Sequence, residues 1–361
     1  MRLASLGLVA VSLAAPAAAA PLALGFEALE SEAEIGLDVS GASDRLAGLI
    51  ADLHGRLDVA DGPHATLSTI AEALREVCPV FVADAQGGLY GPALASGACD
   101  CDVLTVTYLT VGEAAGLPLR AVFLPGHVLV RWDAPEAPVY WETTTAQERP
   151  AWYLEALVPE GAERAYLQPQ TREQMQAHLY QVRASYRHAT GDASGALADW
   201  ATAAHLNPTY LLTYLNRGRA HLLGGAPEAA AADFTRALRL DPTQADGLYG
   251  RATAHLALGR PEKAVPDLLA LLERSGPAAD ALHALGVAYG AMGRDADALQ
   301  AFANALAADP SFAYVYEARG DLYARAGHAA EAQRDYETYL RLAPASDAAP
   351  VRTKLRALEG S

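Results

Sequence analysis

A period of 34 residues governs the C-terminal half of this chain. Glycine recurs at Gly191, Gly225, Gly259, Gly293 and Gly327, each 34 residues after the last. Five residues beyond each glycine stands an alanine (Ala196, Ala230, Ala264, Ala298, Ala332), and nine beyond it a large apolar residue (Trp200, Phe234, Leu268, Phe302, Tyr336). Seven residues before each glycine is a small residue, Ala184, Gly218, Ala252, Gly286 or Gly320. Proline closes the units at Pro208, Pro242, Pro277, Pro310 and Pro344. A repeat of this length is one supersecondary unit that cannot bury its apolar face alone and has to stack on its neighbours. Here it reads as a helix–turn–helix. The glycine breaks the chain between two helices. The small residues let the helices approach, and the large residue fills the space between neighbouring pairs. The third unit carries Pro266 inside its second helix and Gly276 in place of the usual proline, which predicts a kink or a frayed turn there.

These positions, repeated over about residues 177–346, resemble the tetratricopeptide repeat (TPR). The resemblance implies an all-α solenoid whose groove binds a protein or peptide partner. One sequence does not identify the side chains that line the groove. Pentatricopeptide repeats share the period but bind RNA, and the charge of this chain opposes that. It carries 27 Lys and Arg against 43 Asp and Glu, a net −16, a poor match for phosphate. No nucleic-acid partner is expected. The acid is concentrated before the repeats: residues 1–170 hold 8 basic and 22 acidic side chains, so the two halves read as different modules.

The chain opens MRLASLGLVAVSLAAPAAAAP. Arg2 precedes an apolar stretch from Leu3 to Ala15, and a run of small residues follows. This is the layout of a secretory signal peptide, read here over residues 1–20 with cleavage after Ala19 and a linker over 21–43. It places the mature protein in the periplasm or outside the cell. No membrane span is expected once the leader is removed.

Between 44 and 160 the pattern changes. Residues 44–59 and 65–77 predict amphipathic helices, with Leu46, Leu49, Ile50, Leu53 and Leu57 on one face of the first. Tyr90–Gly97, rich in Gly, Pro and Ser, reads as a loop. A helix over Asp100–Ala115 is followed by three strand-like runs, Leu119–Leu124, His127–Trp132 and Val139–Thr144. This order places Cys101 at a helix N-terminus, His127 at the start of a strand and Glu142 on the next. A thiol nucleophile needs a base, a group that orients the base, and help in becoming thiolate. The helix dipole supplies part of that help, although Asp100 and Asp102 oppose it as like charges. A hairpin closed about residues 133–138 sets His127 directly opposite Glu142, where the acid can hold the imidazole in the tautomer that takes the thiol proton.

The stretch CDVLTVTYLTVGEAAGLPLRAVFLPGHVLVRW, from Cys101 to Trp132, with VYWETT from Val139, resembles the transglutaminase-like fold, and within it the SirB-type branch often fused to TPR repeats. The resemblance covers about residues 44–160. It implies an α+β, papain-like domain ahead of the all-α solenoid, with Cys101 as nucleophile, His127 as general base and acid, and Glu142 as orienting acid. Where that fold usually has Gly-Asn-Cys, this chain has Cys99-Asp100-Cys101.

The cysteines are three: Cys78, Cys99 and Cys101. A Cys78–Cys99 disulfide leaves Cys101 free and reactive; the alternatives are three buried thiols, or metal binding by Cys99, Cys101 and His127. No phosphate-binding glycine loop, dinucleotide fingerprint or metalloprotease helix is present, so neither cofactor nor metal is expected. Arg131 reads as a carboxylate binder or as a partner of local acids; Trp132, Trp141 and Trp152 read mainly as core. Residues 161–176 read as a linker and 347–361 as a tail. Two functions follow: an exported cysteine enzyme of acyl transfer or amide hydrolysis with the repeats presenting a protein or peptide substrate, or a non-catalytic envelope scaffold that recruits a partner through its groove.

Overall fold

Seventeen α-helices, two short 3-10 turns and six strands are arranged in two connected modules among the residues that the computed structural model describes, 23–57, 59–82, 89–160, 162 and 166–359. The leader-like segment 1–20 lies outside those residues. The first module begins with α1 (Leu24–Ala33), α2 (Ser40–His54) and α3 (Gly62–Val77), then β1 (Val80–Phe81), α4 (Tyr90–Ser96) and β2 (Ala98–Cys99). Next come α5 (Cys101–Ala115), β3 (Leu119–Leu124), β4 (His127–Trp132), β5 (Val139–Glu142), β6 (Gln147–Arg149) and α6 (Ala151–Glu155). Strands β3 to β6 form one antiparallel meander in sequence order, while β1 and β2 make a short parallel pair.

Helix α5 is the axis of this module. Every residue from Val103 to Gly112 is buried, as a helix apolar on all sides requires. Its threonines do not break the apolar environment: the Thr107 and Thr110 hydroxyls donate to the carbonyls of Val103 and Val106 one turn earlier, both at 2.7 Å. The sheet lies on one side of α5, with α1 and α2 on others. Trp141, 1% exposed, donates its indole N–H to the hydroxyl of Tyr108 at 3.0 Å, which locks β5 onto α5.

Four sequence expectations are revised. Residues 24–43, read as a linker, form α1 and the start of α2, and Leu24, Ala28 and Leu29 are core. Residues 90–97, read as a loop, form α4. The cause is distant: the Glu32 carboxylate accepts the backbone N–H groups of Tyr90 and Gly91 at 2.5 and 2.7 Å and so satisfies the orphan donors of that helix start. The segment 166–171 is no free linker either, since Leu167 and Gln170 donate to the carbonyls of Phe123 and Ala121 along the edge of β3. The tail carries α17, introduced below.

The second module alternates two helices per unit: α7 (Arg172–Ala189) with α8 (Ala193–Leu206), α9 (Leu211–Leu223) with α10 (Pro227–Leu240), α11 (Ala245–Ala257) with α12 (Pro261–Ser275), α13 (Ala279–Ala291) with α14 (Asp295–Ala308), and α15 (Ala313–Arg325) with α16 (Ala329–Leu342). Helix α17 (Ala348–Glu359) packs on α16 and closes the array. All five periodic glycines hold positive φ, from 64° to 92°, a region where a side chain is strained. The large apolar residue packs within its own pair as well as between pairs. The Phe234 ring lies against Gly218 of its own unit and Gly250 of the next, where an added Cβ would come within 2.4 Å. Helix α12 runs unbroken through Pro266 to Ser275, and the chain turns only at Gly276, φ 78°.

A second periodic device binds four of the five pairs internally. Arg183–Asp199, Arg217–Asp233, Arg251–Asp267 and Arg319–Asp335 are bidentate ion pairs, each joining the first helix of a unit to its second, with N–O distances of 2.6–2.9 Å. In the fourth unit the corresponding residues are Leu285 and Ala301, both buried. Charge pairing and apolar packing thus fill the same place in neighbouring units.

The modules share one apolar core. It runs from Leu24, Leu46 and Val130 through Met175 to Leu211, Tyr214 and Phe234 in the first two repeat units. Arg172 bridges Glu27 and Glu113 at 2.8 and 3.0 Å, and Arg183 reaches Ser31 of α1 and Glu34 at its C-terminal end as well as Asp199.

Candidate functional site

Cys101 opens α5. The residue before it, Asp100, is the N-cap: its carboxylate accepts the Val103 N–H at 2.9 Å. The aspartate that replaces the Asn of Gly-Asn-Cys therefore keeps the capping role, since Asn and Asp serve equally well at an N-cap. Burial pushes the Asp100 carboxyl above its usual range. Behind the helix start, Cys78 and Cys99 form a disulfide that ties the end of α3 to β2, and Cys101 is the free thiol, partly exposed.

His127 begins β4 and Glu142 ends β5. Their strands pair with Val130 opposite Trp141 and Trp132 opposite Val139. That register sets Glu142 opposite Leu129, two residues from the expected partner. His127 and Glu142 are diagonal neighbours on one face, within reach of long side chains. They meet closely: His127 Nε2 lies 2.8 and 2.7 Å from the two carboxylate oxygens of Glu142. Thr144, which the sequence pattern does not single out, holds the acid in place by donating its N–H and hydroxyl to Glu142 Oε1 at 3.2 and 2.8 Å. Burial alone would raise the Glu142 carboxyl, but the bonds from His127 and Thr144 outweigh it and hold the group below the usual carboxylate range.

With Nε2 engaged by Glu142, the other ring nitrogen is the one left for the thiol. The hydrogen bond to Cys101, then the bond to Glu142, push the His127 imidazole up to about 10, against the opposing effect of burial. The ring is thus imidazolium across the neutral range, the partner that a thiolate needs. All three residues that the sequence singled out are brought together by α5, β4 and β5.

Other expectations fall differently. Arg131 pairs with a local acid, Asp133, at 2.7 Å. Trp132 and Trp141 are buried core, whereas Trp152 is 69% exposed. Cys99, being disulfide-bonded, is not available as a metal ligand. Among the described residues no group of three His, Cys, Asp or Glu side chains is placed to hold a metal ion, and no helix is long and apolar enough to cross a membrane.

The far wall of the site carries no sequence signal. A cleft of about 180 Å³ opens at Cys101 and His127 and is closed by Tyr166, Tyr210, Leu211 and Leu212. Burial pushes the Tyr210 phenol well above its ordinary range, and the neighbouring Asp102 carboxylate adds to the effect.

A family model for the tetratricopeptide repeat matches residues 212–244 and 279–312. No curated protein matches the chain. Similar solved structures include YrrB, a TPR protein with an unusual peptide-binding site, at 23% identity over 50% of this chain and 92% of that one, TM-score 0.42. Another is MamA from Desulfovibrio magneticus RS-1, at 21% identity over 46% of this chain and 94% of that one, TM-score 0.44. A thermophilic TPR protein of Thermus thermophilus shares 19% identity over 51% of this chain and all of that one, TM-score 0.43. The family match, the 34-residue glycine period and the five successive helix pairs together make the C-terminal half of this chain an array of tetratricopeptide repeats.

Proposed function

We propose that this chain is a partner-binding protein of the cell envelope whose repeat array docks a protein or peptide segment. The observation that carries this reading is the match to the tetratricopeptide repeat, an architecture whose stacked units form extended concave binding surfaces. The first helices of successive units touch one another along the array and so build one continuous face. Tyr314 and Val287 on that set of helices are 43% and 36% exposed. Panning a random peptide library on the full chain should enrich a binding consensus whose affinity falls at least tenfold on Tyr314→Ala or Val287→Asp at unchanged melting temperature. Failure to enrich any peptide, or peptides indifferent to both substitutions, would overturn it. An exported location is supported by the leader-like opening and by the Cys78–Cys99 disulfide, a bond that persists in oxidising compartments.

A second reading has its own observation. His127 lies between the free Cys101 thiol and the carboxylate of Glu142, at hydrogen-bond distance from the acid. This supports a transglutaminase-like module, of the SirB type, in which Cys101 attacks a carbonyl, His127 moves the proton and Glu142 orients the ring. Acyl transfer or amide hydrolysis on a polypeptide docked by the repeats is the corresponding activity. The check is the rate of Cys101 alkylation by iodoacetamide against pH. His127→Ala and Glu142→Gln should each slow it at pH 6 at least tenfold. A rate that ignores both substitutions and follows an ordinary thiol would remove this reading and leave the scaffold.

A further inference from the structure

The cleft at Cys101 has a wall that the N-terminal module does not own. Tyr210, Leu211 and Leu212 belong to the second repeat unit, in the loop before α9 and its first turn. Tyr210 is a fixed part of that wall. Its ring stacks on Phe123 of β3, centroids 4.9 Å apart and 14° from parallel, and only 6% of the residue is exposed. Its hydroxyl lies 2.8 Å from Nδ1 of His178 on α7, and the other ring nitrogen of His178 is 3.7 Å from Asp102. The chain of contacts runs from the residue beside the thiol, through the first repeat unit, into the second. Leu212 stands at the rim, 46% exposed.

We propose that these residues complete a composite subsite, and that it takes the uncharged apolar side chain beside the reacting carbonyl of a peptide substrate. The inference rests on the Cys101–His127–Glu142 reading. Size supports it: a cleft of about 180 Å³ compares with the ~150 Å³ pocket lined by Leu, Ile and Phe that takes up benzene, so a leucyl or phenylalanyl side chain fits. Lining chemistry supports it too. Phe123, Leu124, Tyr210 and Leu211 are all buried and offer aliphatic and aromatic contact. Asp102 is the cleft's carboxylate and repels an acidic side chain. A lysine would give up its hydration among the apolar residues.

The test uses the full chain and four acetyl-glycyl-X-chloromethyl ketones with X as Leu, Ala, Lys or Asp, and iodoacetamide as a probe without a side chain. The Cys101 thiolate forms a carbon–sulfur bond to the methylene carbon and chloride leaves, so second-order rates follow from peptide mass spectrometry. The Leu probe should react about 10–100-fold faster than Asp, the range a side-chain pocket provides. Leu212→Asp should lower the Leu-to-Lys ratio at least fivefold; a ratio within one protein cancels any change in the thiol itself. Brisk iodoacetamide labelling with equal rates for all four ketones, or with Lys foremost, overturns the subsite while leaving the triad standing. Slow iodoacetamide labelling at every pH overturns the triad reading and the subsite with it.

Discussion

Removing the guanidinium of Arg251 should destabilise the third repeat unit far more than removing the carboxylate it binds. Asp267 is 6% exposed and takes both of its charged hydrogen bonds from Arg251, at 2.7 and 2.6 Å. In Arg251→Ala that carboxylate stays in place without its cation. Breaking a fully buried pair costs about 3–5 kcal/mol; because the Arg251 side chain is 26% exposed, water reaches the site and the expected loss is nearer to 2–3 kcal/mol. Asp267→Ala leaves an arginine that can turn outward to solvent, so about 1 kcal/mol is expected. The fourth unit already carries Leu285 and Ala301 at these positions, both buried. The double variant Arg251→Leu with Asp267→Ala should therefore return to within about 1 kcal/mol of the parent, since apolar replacement of a buried pair is often neutral. Urea unfolding gives the three free energies, and native-state hydrogen exchange should localise the single-variant loss to α11 and α12. A double variant as weak as the sum of the singles, or an Arg251→Ala loss under about 0.5 kcal/mol, would refute the reasoning.

Three further outcomes can be checked. The Cys78–Cys99 bond closes a sequence separation of 21 residues, so reduction should cost about 3 kcal/mol of stability, read as a shift in urea midpoint. His127 titrates near 10 in the fold and near 6.5 unfolded; its stabilising contribution is complete below pH 6.5 and is lost as pH rises through 10. The stability gap between the parent and His127→Gln should accordingly narrow across that window, and a gap constant from pH 6 to 10 would contradict it. An alanine at Gly286 would bring Cβ to 2.4 Å from the Phe302 ring, so Gly286→Ala should cost about 1–3 kcal/mol by overpacking, visible in a thermal melt.

Much of the architecture is legible because it depends on residue type at fixed spacing. Positive φ leaves glycine as its mark, so the 34-residue period reads directly. The Arg–Asp ladder has the same period, yet it is hard to read: charged residues on helices look like a solvated face, and nothing local says that Asp199, Asp233, Asp267 and Asp335 are buried. The site is half legible. Cys101, His127 and Glu142 follow from a helix start and two strands, but the register lies two residues from the expected one because all six residues 133–138 form the connection, so that Trp132 pairs with Val139 and Leu129 comes opposite Glu142. What depends on distant partners is invisible. Helix α4 owes its start to Glu32, 58 residues earlier, and the wall at Tyr210 reaches residues more than 80 positions before it in the chain.

Repeat arrays change length in evolution by duplicating or deleting whole units, and in principle any unit is expendable. Here the first two are not interchangeable with the rest. The apolar core continues through them from the N-terminal module, Arg172 and Arg183 anchor the first to α1 and α5, and the loop before α9 faces Cys101. Among the described residues, the third unit meets that core only through Ala254, and units four and five have no such ties. Gains and losses of repeats in descendants of this chain should therefore accumulate toward the C-terminus, where they alter how far the array extends. A graft of the N-terminal module onto a foreign array would carry Cys101, His127 and Glu142 intact into a cleft open on one side.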